Sequence, residues 1–335
     1  MSENTLNNQL NDEFDHEIQA IATSIFFQHG TDFSTVQKAG GWSNAVWFSD
    51  KMVLRLSTIR ENTRLLQEAK LATLFPPDVG YPKILKTGTS SGYSWTLAEK
   101  IPGMTLGEIW PELNWEGQII ALQSMWERAQ AVHSVPVDKA IQFARKSAWF
   151  NTTDASLAES SLRRLAKEKI ISTQESHVLK NSLSDFWRLL PTSCHVLCHG
   201  DLTMDNAIWY DNEVVSLLDF EFAVVAPVQL DLNHLIKCAY SPEENKYTTS
   251  NPDIQGVFHL RQAIKDMAIP LLSHPDEKIL LMGYAILLEL WLLETWLEHP
   301  EREGALDEWD PLKRLRSLAD GKSGYLASMF NLSIK

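Results

Sequence analysis

The first hundred residues carry one helical pattern followed by short runs of strand length. Residues 13–29 place apolar side chains at helical spacing, such as Ile18, Ile21, Ala22 and Ile25, and end before Gly30. Five alternating or apolar runs follow, with a second helical pattern over residues 61–75 between the third and the fourth: STVQKA, AVWFSD, KMVLRLS, YPKILKTG and YSWTLAEKI. This order predicts a small, mostly antiparallel sheet that carries one helix.

From Thr105 onward the pattern is mainly helical. Strand-like runs are confined to 196–198 and 214–218, while helical spacing recurs over residues 106–109, 115–133, 153–167, 173–190, 257–269 and 277–298. The turn residues Ile101-Pro102-Gly103 separate the two parts. The sequence therefore predicts an α+β chain with a sheet lobe over residues 1–103, beginning with a polar tail over 1–12, and a helical lobe over 104–335.

Composition favours a globular, cytoplasmic protein of 335 residues. Hydrophobic residues make up 44% of the chain, and its most apolar stretch contains Glu289 and Glu294, so we expect no membrane span. The N-terminus lacks the basic start and the apolar core of a secretory signal. The net charge is −13, of which the part after residue 103 carries −11. This excess argues against nucleic acid and anionic lipid and would attract a cationic substrate, although it equally serves solubility alone.

The three cysteines, Cys194, Cys198 and Cys238, are an odd set that suits reduced thiols better than a disulfide framework. Two of them belong to the run CHVLCH, whose spacing does not fit c-type haem. No second pair of zinc ligands follows this run at the required spacing. We therefore expect neither haem nor a structural metal there.

The segment 195–223, HVLCHGDLTMDNAIWYDNEVVSLLDFEFA, places polar side chains at strand ends. An apolar strand leads into a loop with His199, Asp201 and Asn206, and a short hairpin follows whose second strand ends at Asp219. Phosphoryl transfer requires a carboxylate that accepts the proton of a hydroxyl, and hard oxygen ligands that hold Mg²⁺. A lone Asp-Asn pair is usually a turn, and a lone histidine usually a core residue. The order and spacing of the whole segment favour the phosphoryl-transfer site.

These residues resemble the aminoglycoside phosphotransferase and choline kinase family of small-molecule kinases. HGDLTMDN is similar to the family's catalytic loop, and LLDFEFA is similar to its metal-binding segment. The resemblance implies a bilobal, protein-kinase-like fold, ATP as co-substrate with GTP not excluded, and Mg²⁺. By this resemblance the catalytic base is Asp201, the magnesium ligands are Asn206 and Asp219, and the supporting residues are His199 and Asp231.

Asp231 has a second expected role, because it precedes the run Leu-Asn-His-Leu at a natural helix start. We expect it to cap that helix as well as to brace the catalytic loop.

A glycine-containing hairpin in the first lobe resembles the family's phosphate-covering loop. It includes Gly40, Gly41, Ser43 and Asn44, whose backbone amides and small side chains would cover the nucleotide phosphates. Two glycines in a hairpin also mark an ordinary turn, and the segment is not a Walker motif.

Four further residues are expected to contact the nucleotide. Arg55 occupies the position of the phosphate-binding lysine of kinases, and Glu68 on the next helix is its expected partner. By the same resemblance, the carbonyl of Glu99 and the amide of Ile101 bind the adenine edge. A solvent-facing arginine, a surface glutamate and a plain edge strand would give a similar sequence.

Two other functions stay open beside the small-molecule kinase. An atypical protein kinase is disfavoured by Gly200, where protein kinases usually have arginine, and by Glu221, where they have the glycine of Asp-Phe-Gly. No activation loop bearing serine or threonine follows. A nucleotide-binding pseudokinase is disfavoured by the intact Asp201, Asn206 and Asp219.

The acceptor is the least determined part of the function. Tryptophans and acidic residues alternate near the C-terminus, where Trp291, Glu294 and Glu298 are candidate substrate residues. Aromatic faces beside carboxylates bind amines by cation–π attraction and ion pairing, although core aromatics and a solvated helix face show the same pattern. The resemblance implies an amine-bearing small molecule with a hydroxyl, such as an aminoglycoside, another antibiotic or an amino alcohol. It also implies a monomer or homodimer, and a role in antibiotic resistance or metabolism.

Overall fold

The computed structural model describes residues 3–39, 44–240, 254–298, 306, 309–320 and 326. The chain divides into two compact units: unit 1 is Met1–Phe75 with Tyr81–Pro102, and unit 2 is Pro76–Gly80 with Gly103–Lys335. The short segment Pro76–Gly80 belongs to unit 2 because Arg128 donates a hydrogen bond to the carbonyl of Asp78 at 2.7 Å. Gly80, at φ 68°, also packs against the backbone of Val215.

Unit 1 is a five-stranded antiparallel sheet with two helices. The helices are α1 (Glu3–Gln28) and α2 (Arg64–Ala72), and the strands are β1 (Gln37–Ala39), β2 (Asn44–Phe48), β3 (Met52–Ser57), β4 (Ile84–Ser90) and β5 (Tyr93–Glu99). The strand order is β1-β2-β3-β5-β4. The helix predicted from residue 13 begins already at Glu3. Residues 3–12 include neither glycine nor proline, so nothing in their composition breaks the helix. The expected polar tail is therefore helical from Glu3 onward.

The core of unit 1 forms where α1 packs on the sheet. The helical positions Ile18, Ala22 and Ile25 are buried, as their spacing predicted. They contact one face of the sheet, which contributes Trp47, Leu54, Leu56, Tyr93, Trp95 and Leu97. This burial of apolar side chains holds the short strands in register.

Unit 2 is mainly helical and contains two small antiparallel sheets. Its helices are α3 (Leu106–Ile109), α4 (Trp115–His133), α5 (Val137–Ala140), α6 (Ser156–Lys167), α7 (Thr173–Leu189), α8 (Gln229–Tyr240), α9 (Ile254–Ala268), α10 (Pro275–Leu297) and α11 (Asp310–Asp320). Its strands are β6 (Met104–Thr105), β7 (Val196–Cys198), β8 (Ala207–Tyr210), β9 (Glu213–Leu217) and β10 (Val224–Ala226). One sheet pairs β10 with β7, and the other has the order β6-β8-β9.

Within the described residues, α10 is the one helix that is long and apolar enough to cross a membrane by length and composition. It packs against α7, α8 and α11, and Glu289 near its middle is fully buried. The Glu289 carboxylate pairs with Lys237 at 2.7 Å and with Arg314 at 3.0 Å. Burial raises the pKa of Glu289, but the charges of Lys237 and Arg314 outweigh it and hold the pKa below its usual value. The apolar composition of α10 thus matches its place inside unit 2.

Candidate active site

His199 begins the loop that follows β7, and its side chain is fully buried. Its Nε2 lies 2.8 Å from the carbonyl oxygen of Leu218, and its Nδ1 accepts the N–H of Asp201 at 3.3 Å. These partners assign the proton to Nε2. The ring also lies 4.4 Å from that of Phe220. His199 therefore ties the loop to the segment after β9, as expected of a supporting residue.

Asn206 closes the same loop on Asp201. Its Nδ2 donates hydrogen bonds to the backbone carbonyl of Asp201 at 2.9 Å and to the carboxylate Oδ2 of Asp201 at 3.0 Å. Because an amide nitrogen has two protons, both are used, and Oδ1 remains as an acceptor for a cation. The carbonyl of Asn206 accepts the N–H of Leu218 at 2.8 Å.

Asp219 follows β9 with a left-handed backbone, at φ 59° and ψ 66°. Such a conformation is uncommon outside glycine, and it persists where surrounding contacts fix it. Here the preceding residue, Leu218, is held through its N–H by Asn206 and through its carbonyl by His199. The structure thus brings His199, Asp201, Asn206 and Asp219 together in unit 2.

Asp231 is fully buried, and its carboxylate contacts the backbone of the loop that follows β7. Its carboxylate accepts the N–H groups of His199 at 2.8 Å and of Gly200 at 3.0 Å, and the Nε2 of His133 lies 2.9 Å away. Burial raises the pKa of Asp231, but the hydrogen bond and charge of His133 and the amide of Gly200 together hold it below its usual value. An ionised carboxylate therefore fixes the loop.

The expectation that Asp231 caps its own helix is corrected by this geometry. Helix α8 begins at Gln229, so Asp231 lies inside the first turn rather than before it. Its two oxygens instead accept the backbone amides of His199 and Gly200, in the loop after β7. His133 was not predicted at all: it ends α4, 98 residues away in sequence, and no local motif marks such a contact.

Gly200 has φ 81°, and a Cβ there would collide with the carbonyl oxygen of Phe222. Glycine is therefore required at this position by conformation and by space. This requirement gives a physical reason for the glycine of HGDLTMDN.

His133, Cys198 and Asp231 hold three potential metal-ligand atoms within 4.8 Å of one another. The His133 and Asp231 atoms are already hydrogen-bonded together, and the Cys198 thiol donates weakly to the carbonyls of Ala226 and Pro227 at 3.5 Å. Burial raises the pKa of Cys198 well above its usual value, which keeps the thiol protonated. We therefore interpret His133, Cys198 and Asp231 as hydrogen-bonded side chains of the core.

All three cysteine thiols are free in the structure, and their reduced state in the cell stays a prediction. Burial raises the pKa of Cys238 to about 12. Cys194 differs from the other two because it is exposed.

In unit 1 the expected pairing of Arg55 with Glu68 is present. The guanidinium Nη1 of Arg55 lies 2.7 Å from Oε1 of Glu68, and the Glu68 side chain is only 1% exposed. The hydroxyl of Tyr81 donates to the same oxygen at 2.8 Å. Glu68 therefore holds the Arg55 side chain in one orientation.

The structure gives less support for the other residues that were predicted to contact the nucleotide. Asn44 is buried at the start of β2, whereas Gly40, Gly41 and Ser43 lie outside the described residues. Glu99 ends β5, and its side chain forms an exposed ion pair with Lys83 at 3.1 Å. The roles of the Glu99 carbonyl and of the Ile101 amide stay predictions.

The three substrate candidates lie on or at the end of α10. The half-buried Trp291 contacts the rings of Phe150 and Phe222 at centroid distances of 5.7 and 5.6 Å. Glu294 accepts a hydrogen bond from Ser161 and pairs with Arg164. Glu298 is exposed, at the C-terminal cap of the helix. Trp291 is thus connected to the loop through Phe222, while the charge of Glu294 is already neutralised.

Comparison with known proteins yields a family and a fold. A model of the phosphotransferase enzyme family (APH) matches residues 35–250. An aminoglycoside 3'-phosphotransferase of Streptomyces fradiae is 25% identical over 146 residues, which are 42% of this chain and 50% of that protein. The chain thus matches about half the length of this relative.

Solved structures match over most of the chain. The GDP complex of wild-type aminoglycoside 2'-phosphotransferase-IIIa has a TM-score of 0.61 and 16% identity, over 89% of this chain and 98% of its own. A thermostable mutant of APH(4)-Ia, in a ternary complex with AMP-PNP and hygromycin B, has a TM-score of 0.60 and 12% identity, over 86% and 93%. Such likenesses show the fold. The predicted protein-kinase-like α+β fold, with an antiparallel sheet first and a mainly helical remainder, is confirmed.

Proposed function

Because the chain belongs to the phosphotransferase enzyme family, as HGDLTMDN and LLDFEFA predicted, we propose that it transfers the γ-phosphate of ATP to a hydroxyl of a small molecule. The observation that carries this proposal is the hydrogen bonding of Asn206 to Asp201, in a loop that Leu218 connects to Asp219. The second carboxylate, that of Asp219, is held nearby by an uncommon left-handed backbone. A loop that served only as a turn would not require this arrangement.

In the proposed mechanism, Asp201 accepts the proton of the acceptor hydroxyl. The hydroxyl oxygen forms a bond to the γ-phosphorus, the bond from that phosphorus to the β–γ bridging oxygen breaks, and ADP leaves with the bonding electrons. The amide of Asn206 donates to the Asp201 carboxylate and orients it for this contact. Most of the rate enhancement would come from positioning and from stabilisation of charge.

The donor set fits a magnesium ion. Oδ1 of Asn206 and the carboxylate of Asp219 are hard oxygen ligands, and the hydrogen bond from the Leu218 N–H to the Asn206 carbonyl joins the two segments that carry them. Bound Mg²⁺ would neutralise charge on the phosphate oxygens. His199 and Asp231 would support these ligands by holding the loop backbone.

The nucleotide is assigned to unit 1 and the acceptor chemistry to unit 2. Arg55, oriented by Glu68, would contact the phosphates, with Gly41, Ser43 and Asn44 covering them and Glu99 and Ile101 binding adenine. ATP is the proposed donor. One of the similar structures is a complex with GDP and another is a complex with AMP-PNP, so GTP is a second donor to be tested.

Aminoglycosides are the first acceptors to test, since hygromycin B is bound to one similar structure and kanamycin to another. Trp291 is the substrate candidate that the structure favours most, because it contacts Phe222. Glu294 and Glu298 stay predictions as amine contacts. A cytoplasmic location, a monomer or homodimer, and a role in antibiotic resistance are also proposals from the sequence.

The test is ADP release from purified protein with Mg²⁺ and ATP or GTP, over a panel of aminoglycosides, other antibiotics, choline, ethanolamine, and amino and acidic sugars. A signal that depends on one acceptor and is lost in Asp201→Asn supports the proposal, and mass spectrometry of the products identifies the phosphorylated molecule. Phosphate found on protein would instead support an atypical protein kinase. Nucleotide binding without turnover over the whole panel would support a pseudokinase.

A further inference from the structure

His133 is the last residue of α4, and it belongs to none of the motifs that identified the candidate site in the sequence. Its side chain is only 9% exposed, and its Nε2 lies 2.9 Å from Oδ2 of Asp231. The same Oδ2 accepts the N–H of His199 at 2.8 Å, while Oδ1 accepts the N–H of Gly200 at 3.0 Å. Among the described residues, Asp231 therefore has two donors from the catalytic loop and one from α4.

The hydrogen bond between His133 and Asp231 has a defined direction. An ionised carboxylate has no proton to donate, so Nε2 of His133 carries the hydrogen. Burial raises the pKa of Asp231, and the hydrogen bond from His133 is the largest of the effects that lower it. His133 thus keeps both oxygens of Asp231 as acceptors, since protonation would turn one of them into a donor beside a backbone N–H.

Three hydrogen bonds connect His133 to the backbone of Asp201. The first joins His133 to Asp231, and the second joins Asp231 to the N–H of His199. In the third, Nδ1 of the His199 ring accepts the N–H of Asp201. These contacts measure 2.9, 2.8 and 3.3 Å, so a shift of the Asp231 carboxylate would move the peptide that carries Asp201.

Helix α4 is anchored without the help of Asp231. The hydroxyl of Ser124 accepts the N–H of Val214 at 2.9 Å, and Nε of Arg128 donates to the carbonyl of the same residue. Val214 belongs to β9, which is a separate segment from the catalytic loop. His133 therefore projects from a helix whose position does not depend on the hydrogen bond to Asp231.

Packing is the other role that a buried histidine can have. The ring of Trp126 lies edge-on to that of His133, with 5.4 Å between the centroids. An apolar side chain of similar size would keep this contact, whereas only a donor supplies the third hydrogen bond of Asp231. The thiol of Cys198 does not replace that donor, because it is directed at the carbonyls of Ala226 and Pro227.

We propose that His133 is a positioning residue for phosphotransfer, because its hydrogen bond fixes the Asp231 carboxylate and thereby the peptide of Asp201. The inference rests on the proposed function and adds to it a residue that acts through another side chain. Its effect should appear in kcat and not in KM, since the loop backbone determines where the catalytic carboxylate lies.

Two amide variants of His133 separate the hydrogen bond from the polarity of the side chain. In His133→Gln the amide nitrogen is as many bonds from Cβ as Nε2 of the ring, and in His133→Asn it is one bond closer. We expect kcat within about threefold of the wild type for His133→Gln and about a hundredfold lower for His133→Asn, with KM for ATP and acceptor unchanged in both. Equal values of kcat in the two variants, or a hundredfold loss in a folded His133→Gln, would overturn the proposal.

Trp126→Phe is the matched control, because it reduces the packing around the same ring and keeps His133. We expect its melting temperature to fall while kcat stays within about twofold of the wild-type value. If kcat instead followed the melting temperature over the three variants, His133 would serve stability alone and the proposal would be wrong.

Amide hydrogen exchange tests the same contact without turnover. Mass spectrometry of a peptide that spans residues 196–206 reports the N–H groups of His199 and Gly200 in the protein without nucleotide. We expect exchange about tenfold faster in His133→Asn, and as in the wild type in His133→Gln. Equal exchange in the two variants would contradict the proposal.

The two proposals fail separately. A wild-type protein that releases no ADP, together with faster exchange in His133→Asn, would count against phosphotransfer and support the role of His133 in the loop. ADP release with equal kcat and equal exchange in the two variants would support phosphotransfer and overturn the role of His133.

Discussion

At the scale of single residues, the site depends on backbone positions as much as on carboxylates. Asp201 is held by the amide of Asn206, and Asp219 by the two backbone hydrogen bonds of Leu218. Gly200 lies between His199 and Asp201, and its N–H donates to the Asp231 carboxylate. Its position also has a steric requirement, because the carbonyl of Phe222 occupies the place of a Cβ.

Gly200→Ala should therefore inactivate the protein. The new methyl group requires both a left-handed backbone and movement of Phe222, and together these cost about 3 kcal/mol or more. Gly30→Ala is the matched control, because Gly30 has φ 74° with no atom within 4 Å of a Cβ, so that only the backbone term of about 1 kcal/mol remains. Urea unfolding and ADP release measure the two effects. Equal destabilisation by the two variants would contradict the steric argument.

At the scale of elements, one buried carboxylate connects α4, α8 and the catalytic loop. Asp231 on α8 accepts from the His199 and Gly200 amides and lies beside His133 at the end of α4. The motif spacing in the sequence predicted the loop, but it did not reveal His133, because residues 98 positions apart leave no periodic or local signal. The strands β6 and β10 were also missed, since two or three residues are too few to show alternation.

Asp231→Asn should destabilise unit 2 in a manner that depends on pH. The folded protein holds the Asp231 pKa below its usual value, so the carboxylate stabilises above the unfolded pKa, and this contribution is lost as pH falls through the folded pKa. An asparagine would also direct an NH2 group at backbone donors. We expect a loss of about 3 kcal/mol near pH 7, which shrinks below about pH 4.

Urea unfolding over that range of pH measures this loss. Asp185→Asn on α7 is the control, because Asp185 forms an exposed ion pair with Arg188 whose removal should cost about 0.5 kcal/mol or less. A loss in Asp231→Asn that stays constant down to about pH 3 would show that the carboxylate's charge is not its cause.

At the scale of the whole molecule, the sequence predicted the class of fold and the type of chemistry better than the substrate. Alternation in β3 and β5 and helical spacing in α1 and α4 are local signals, and two motifs at the correct spacing identified the family. Acceptor recognition is different, because it depends on side chains from separate elements. In the sequence Glu294 is an available carboxylate, but the structure pairs it with Arg164, a residue of another helix.

The division of candidate residues between the units predicts a division of kinetic effects. Arg55 and Glu68 are the nucleotide candidates with a defined contact, and they belong to unit 1, whereas Asp201 belongs to unit 2. Arg55→Lys keeps a charge for Glu68 but loses the fork that holds two phosphate oxygens, so we expect KM for ATP to rise about tenfold. Asp201→Asn should lower kcat by about a thousandfold or more with ATP affinity kept.

Steady-state kinetics with ATP and acceptor varied in turn separates the two effects. If Arg55→Lys raised the acceptor KM as much as the ATP KM, the assignment of nucleotide contacts to unit 1 would be wrong.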